Sequence, residues 1–264
     1  VENYPGFSNP VMGPDLMESM ILQAKNVGCE VIQDSINKIK LDNYPYELIS
    51  QKNVSYITNS IIIATGASAK WLGLENEAKF RGHGVSACAT CDAFFFKNKI
   101  VAVVGGGNTA IEEALFLTKF ASKVFVIHRR DKLRAEKILQ DRAFANDKIS
   151  FIWNTEIIEI NGEHNPNILK NIQIRSILNG QEKKLEIDGL FIAIGHSPNT
   201  ELFKNVLNLD KEGYLKVSNF VFTNKKGIFA AGDVHDKIFR QAVTAAGFGC
   251  MAAIEAEKFL ELEV

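Results

Sequence analysis

The sequence has almost no charge imbalance, no long apolar runs and little cysteine. Lys and Arg total 30 against 31 Asp and Glu, a formal net charge of -1. No basic stripe appears, which argues against a nucleic-acid partner. The longest apolar stretches, such as 61–64 and 100–104, are far too short to span a bilayer. Four cysteines in 264 residues are not the framework of a small secreted domain. The polar, turn-like stretch 1–6 predicts no signal peptide, and a cytoplasmic protein is expected. An initiating methionine is also lacking. The chain starts in a loop, so an N-terminal piece is expected upstream of Val1. There is no low-complexity segment and no short-period repeat.

What is present is core-forming. The chain is 46% hydrophobic, enough for one or two domains. Residues 15–27 read as an amphipathic helix, with Leu16, Met20, Ala24 and Val27 on one face and Gly28 as the stop. Strands are expected at 31–41, 46–50 and 61–64. A second buried strand at 100–104 leads into glycines, a helix at 109–120 and a strand at 124–127. This is a βαβ unit of about thirty residues. A helix is expected at 131–145. Strands at 168–178 and 184–187 flank Asn179-Gly180, a strong hairpin signal. A strand at 190–194, another at 227–233 and a helix at 241–260 complete the pattern. Alternating strands and helices predict an α/β fold with a covered parallel sheet, and the hairpins predict side sheets.

Three motifs carry chemistry. Gly105-Gly106-Gly107-Asn108-Thr109-Ala110 fits G-x-G-x-x-A between a strand and a helix. The first glycine makes the turn, the second lets backbone approach a pyrophosphate, and Ala110 permits close packing. The helix start offers N–H groups to phosphate. The alternative is a plain glycine turn. At the end of the next strand, where an acid would hold an NAD ribose, stand His128-Arg129-Arg130, with Arg134 a turn later. Arginine forks suit a 2′-phosphate, so NADPH is expected over NADH. The alternative is a solvated basic face. Neutralising Arg129 and Arg130 is expected to raise KM for NADPH far more than for NADH.

The third motif is Cys88-Ala89-Thr90-Cys91-Asp92. Cys88 and Cys91 fit thiol–disulfide exchange, with Asp92 as the acid/base for a departing thiolate. Half of a zinc site is the alternative, but no second ligand pair is evident and no metal is expected. Cys29 and Cys250 read as isolated, buried small hydrophobes. A nicotinamide and a disulfide need a mediator, and a flavin is the natural one. Gly232-Asp233 at a strand end is placed to meet it, the alternative being an ordinary turn.

Together these residues resemble the low-molecular-weight, bacterial-type thioredoxin reductases. The match runs through 1–6, Ala64-Thr65-Gly66-Ala67, the dithiol, the glycine turn, the arginine cluster, 193–199, and Ala230-Ala231-Gly232-Asp233-Val234 with Arg240-Gln241-Ala242. The resemblance implies two Rossmann-like nucleotide-binding domains of the three-layer ββα type. An NADPH domain at 71–198 carries the redox disulfide and is inserted into a discontinuous FAD domain at 1–70 and 199–264. Cys88 and Cys91 would form the disulfide and Asp92 the acid/base. Gly105, Gly107, Asn108, Thr109 and Ala110 would cradle NADPH, with His128, Arg129, Arg130 and Arg134 on its 2′-phosphate. Asn3, Thr65, Gly66, Gly232, Asp233, Val234, Arg240, Gln241 and Ala242 are the remaining cofactor positions, on the FAD side. Members are homodimers that reduce thioredoxin, with hinges expected near Trp71 and Pro198.

One departure stands out. Members have two glycine fingerprints and this sequence has only the second. The first, with its strand and helix, is expected upstream, about fifty residues in all. The 264-residue polypeptide is expected to bind FAD poorly without them. Two other readings stay open: a non-catalytic NADPH-binding remnant, and the flavoprotein subunit that serves a peroxidase.

Overall fold

The computed structural model describes Val1 and residues 3–262. Glu2, in the N-terminal motif, and Glu263 and Val264, at the end of the expected FAD domain, lie outside the described residues. The chain divides into two compact units, Ala69–His196 and the pair of segments Val1–Ser68 and Ser197–Val264.

The inserted unit is built on five parallel strands. Their spatial order is Val85–Ser86, Gly189–Ile192, Ile100–Val104, Lys123–Ile127 and Ile149–Ile152. Side chains alternate across a pleated sheet, and here each face has its own cover. Val101, Val103, Val124 and Val126 pack under Ala110, Ile111, Ala114 and Leu117 of helix Asn108–Leu117. Ala102, Ile127, Leu190 and Ile192 face the antiparallel meander Thr155–Glu163, Ile168–Ser176 and Glu182–Glu186, meeting Ile157, Ile160 and Ile172. Fully buried side chains such as Ile111 and Leu117 each contribute roughly 2 kcal/mol. The result is the three-layer ββα arrangement that the resemblance implies.

The discontinuous unit holds a smaller parallel pair, Ile61–Ile63 with Ile228–Ala230. Helix Ala242–Leu262 covers Phe229 and Ala231 through Ala252 and Ala256. The other face packs on Phe203, Leu207 and Leu215. A three-stranded antiparallel sheet, Ile36–Lys40, Tyr46–Ser50 and Ser55–Thr58, adds Tyr46 to that core. The Tyr46 hydroxyl donates to the Lys226 carbonyl at 2.7 Å. The N-terminal helix runs Gly13–Asn26; it buries Leu16, but Val27 is 83% exposed.

Several expectations need correcting. The helix expected at 131–145 begins only at Lys137, as Lys137–Phe144. Amides of Arg134 and Ala135 donate to the Gly106 carbonyl at 2.7 and 3.1 Å, and that of Glu136 to Asn108 Oδ1 at 2.8 Å. Those donors face the glycine turn and not the preceding helical turn. The strand expected at 31–41 is confined to Ile36–Lys40, and residues 28–33 are exposed. Ile62, in a strand read as buried, is 41% exposed. Cys29 and Cys250 are exposed, not buried. Cys29 follows the helix stop in an exposed stretch. Cys250 lies off the helix face made by Phe248, Ala252, Ala256 and Phe259. Among the described residues no helix is long and apolar enough to cross a membrane.

Candidate functional site

In the inserted unit a cavity of about 870 Å³ opens at the C-terminal ends of the parallel strands, within the usual range for ligand pockets. Gly105, Gly107, Asn108, Thr109, His128, Arg129 and Arg134 all line it. Ala110 and Arg130 do not line it. Ala110 is fully buried and packs under Gly105, whose φ is +151°. A Cβ on Gly105 would fall 2.6 Å from that of Ala110 and onto the Ala193 carbonyl. Gly107 differs, because nothing lies within 4 Å of where its Cβ would be. The space above Gly107 is open for a ligand's close approach, as a pyrophosphate requires.

Gly106 occupies a variable position of the motif, yet its Cβ would land on the His128 imidazole. His128 is 5% exposed and stands edge-on to Trp153, with ring centroids 6.3 Å apart. Its Nε2 has no hydrogen-bond partner among the described residues. Burial holds its pKa below the usual 6.5 and nearby Arg134, Arg130 and Arg129 act the same way, against a backbone hydrogen bond at Lys132. Arg129 and Arg134 are exposed and pair with no carboxylate among the described residues. An unpaired arginine pair beside an open glycine turn has the charge and the space to hold an anion. The sequence reading missed the opposite wall. Thr155, Glu156 and Arg175 come from the meander, where the Arg175 Nε and Nη2 donate to Glu156 Oε1 at 3.0 and 2.6 Å. Their sequence distance from the glycines left no local signal.

Cys88 and Cys91 are joined as a disulfide, with Cα atoms 5.3 Å apart. Cys88 precedes the one-turn helix Ala89–Asp92 in an extended conformation. Its carbonyl accepts the amides of Cys91 and Asp92 at 3.3 and 3.2 Å. Buried Ser86 accepts the Cys88 N–H at 3.0 Å through Oγ. Ala89, Ala93 and Phe96 sink into the main core of the unit, so the disulfide sits on a fixed base. Cys91 is exposed and Cys88 half-buried. Asp92 lines a separate cavity of about 330 Å³ with Ser86, Phe95 and Lys99. Phe94 and Phe95, directly after the motif, are 56% and 59% exposed.

The discontinuous unit has its own cavity of about 420 Å³. Gly66, Gly232, Asp233, Arg240, Gln241 and Ala242 line it. Gly66, Gly232 and Arg240 have φ of +68°, +73° and +49°, so three positions around it hold the left-handed conformation. For Arg240 this is unusual backbone. Asp236 holds the loop, its carboxylate accepting the amides of Ile238, Phe239 and Arg240. Asn3 Nδ2 donates to Gln241 Oε1 at 2.8 Å. Burial pushes the Asp233 carboxyl above the usual carboxylate range and Asp236 adds to this, while Arg240 opposes it. Thr65 and Val234 do not line this cavity. The Thr65 hydroxyl donates to the Asn199 carbonyl at 2.8 Å, and Val234 is core.

Burial also depresses His235, which packs edge-on to Phe248 at 4.5 Å. For His128 and His235 the folded pKa lies below 6.5, so in that interval the unfolded chain binds protons that the folded chain does not. Their contribution is full above the unfolded value and is lost as pH falls below it. The melting temperature should drop between about pH 7.5 and about pH 5.5, and H128N/H235N should show a shallower drop. An unchanged slope in the double variant would count against this assignment.

The chain is similar to known proteins over nearly its whole length. Residues 11–249 match the family described as pyridine nucleotide-disulphide oxidoreductase. A thioredoxin reductase of Rickettsia conorii is 55% identical over 261 residues, 98% of this chain and 84% of the relative. That of Streptomyces coelicolor is 49% identical over 98% of this chain and 80% of its own length. The crystal structure of thioredoxin reductase from Streptococcus pyogenes superposes with a TM-score of 0.91 at 41% identity, covering 99% of this chain and 84% of that one. The chain therefore belongs to the pyridine nucleotide-disulphide oxidoreductase family, among its thioredoxin reductases.

Proposed function

We propose that this enzyme passes electrons from NADPH, by way of FAD and the Cys88–Cys91 disulfide, to the disulfide of thioredoxin. The observation that carries the proposal is the joined cysteine pair on the same core as a glycine-turn cavity with unpaired arginines. The net reaction takes NADPH, a proton and a protein disulfide to NADP⁺ and a dithiol.

The residues present fit both cofactors. Open space over Gly107, the orphaned Nε2 of buried His128 and the free Arg129 and Arg134 suit an NADP dinucleotide. Arg129 and Arg134 hold its 2′-phosphate, Gly107, Asn108 and Thr109 its pyrophosphate. Gly66, Gly232, Asp233, Arg240, Gln241 and Ala242 hold FAD, with Asn3 fixing Gln241. Val234 packs in the core of that unit, the Thr65 hydroxyl bonds the Asn199 carbonyl, and Ala110 seats the glycine turn. Bound FAD supplies two-electron exchange between nicotinamide and disulfide. Cys88 and Cys91 take up the electron pair as two sulfur groups, and Asp92 gives or takes the proton. Domains at 71–198 for NADPH and at 1–70 with 199–264 for FAD are consistent with where these cavities lie.

We also assign the enzyme to the cytoplasm as a homodimer. Free, exposed Cys29 and Cys250 suit a reducing compartment. Exposed Met17, Ile21 and Leu22 on the N-terminal helix leave an apolar surface that a second copy would cover.

Exposed Phe94 and Phe95 beside the disulfide favour a protein substrate over a small thiol. In an NADPH-coupled assay, F94A/F95A should raise KM for thioredoxin about tenfold, as loss of an aromatic contact does, and leave reduction of a small aromatic disulfide unchanged. Equal loss on both substrates would overturn the protein-docking reading. A colourless protein with no NADPH-dependent turnover would overturn the enzyme reading and support the binding remnant.

A further inference from the structure

We infer that Glu77 is a positioning residue for the dinucleotide, because its buried carboxylate holds the loop 71–74 that forms one wall of the glycine-turn cavity. The inference rests on the NADPH reading of that cavity. Glu77 opens the short helix Glu77–Phe80 and is 1% exposed. Its Oε1 accepts the Leu72 N–H and its Oε2 the Gly73 N–H, each at 2.9 Å. The Glu77 N–H donates back to the Leu74 carbonyl at 3.0 Å. Arg81 Nη2 lies 3.6 Å from Oε2, and the same guanidinium lies 3.9 Å over the Trp71 ring. One carboxylate thus ties down a loop that turns through Gly73 at φ +77°.

The loop presents Leu72 and Leu74 to the cavity. They belong to no strand of the sheet; they pack against its buried core, and these hydrogen bonds fix the backbone that carries them. A glutamine at 77 has one acceptor oxygen and turns an NH₂ group toward the second amide. One buried donor then goes unpaired and the loop relaxes. With the 2′-phosphate left to Arg129 and Arg134, the two leucines would act on parts shared by NADP and NAD.

Calorimetric titration of the full chain with NADP⁺ and with NAD⁺ tests this, with folding followed by near-ultraviolet circular dichroism. Glu77→Gln should raise both dissociation constants about tenfold, the effect of one unpaired buried donor, with their ratio unchanged. Leu74→Ala, which keeps the carboxylate and its hydrogen bonds, should weaken both in the same proportion and decides the matter if Glu77→Gln does not fold. A lower melting temperature with unchanged affinities would show Glu77 to be structural only and overturn the inference, as would a changed ratio. Wild-type protein that binds neither nucleotide would overturn the reading of the cavity itself.

Discussion

Replacing Cys88 or Cys91 with serine is expected to cut NADPH-dependent reduction of thioredoxin below about 0.1% of wild type, a loss typical of deleting an essential covalent group. The reason is one of bond-making. The disulfide accepts an electron pair by breaking its S–S bond, and the partner is reduced when a thiolate attacks and forms a mixed disulfide that the second sulfur resolves. A hydroxyl can do neither step. The fold should survive, because the one-turn helix is held by Ala89, Ala93 and Phe96 in the core and by Ser86 on the Cys88 N–H. Reduction of ferricyanide by NADPH, which bypasses the sulfurs, should stay near wild type. Asp92→Asn keeps the disulfide and removes only the proton carrier, so turnover should fall about a hundredfold, in the range of general acid–base catalysis. Substantial thioredoxin reduction by either serine variant would mean that the pair is not the relay.

The chemistry was more legible in the sequence than its surroundings. The dithiol and glycine turn are contiguous motifs whose residue types dictate local geometry, and both lie where the sequence indicates. Asn179-Gly180 likewise marks its hairpin, with Gly180 at φ +72°. Misreadings arose where distant groups decide. Residues 131–136 have helical periodicity, yet their amides are captured by Gly106 and Asn108. Gly106 falls at a variable position of the motif, and its constraint, the His128 ring, lies twenty-two positions away. Thr155, Glu156 and Arg175 carry no motif and reach the cavity through the meander, and Leu72 reaches it through the loop held by Glu77. Cys29 and Cys250 were misjudged from residue type alone, since cysteine is usually buried and nothing local shows which way a helix faces.

The same geometry sharpens the discrimination between nucleotides. Among the basic cluster, Arg129 and Arg134 line the cavity and Arg130 does not. His128 sits buried below the glycine turn with its pKa depressed, so near neutral pH it offers a neutral ring and not a second charge. On the proposed reading, recognition of a dianionic 2′-phosphate therefore falls to the guanidiniums of Arg129 and Arg134. Charge-assisted, forked hydrogen bonds are the strong kind, and a lysine would not reproduce them. R129A/R134A is expected to raise the dissociation constant for NADPH about a hundredfold while changing that for NADH by less than about twofold. R130A should change either by less than about threefold, because that exposed side chain does not line the cavity. Binding of 2′,5′-ADP, followed by calorimetry, isolates the phosphate: it should be lost in R129A/R134A and retained in R130A. Raised salt should weaken NADPH more than NADH in the wild type, and equally in R129A/R134A. If the double variant loses both nucleotides alike, the arginines serve the pyrophosphate, and selectivity for the 2′-phosphate must be sought on the meander side, at Arg175 with its partner Glu156.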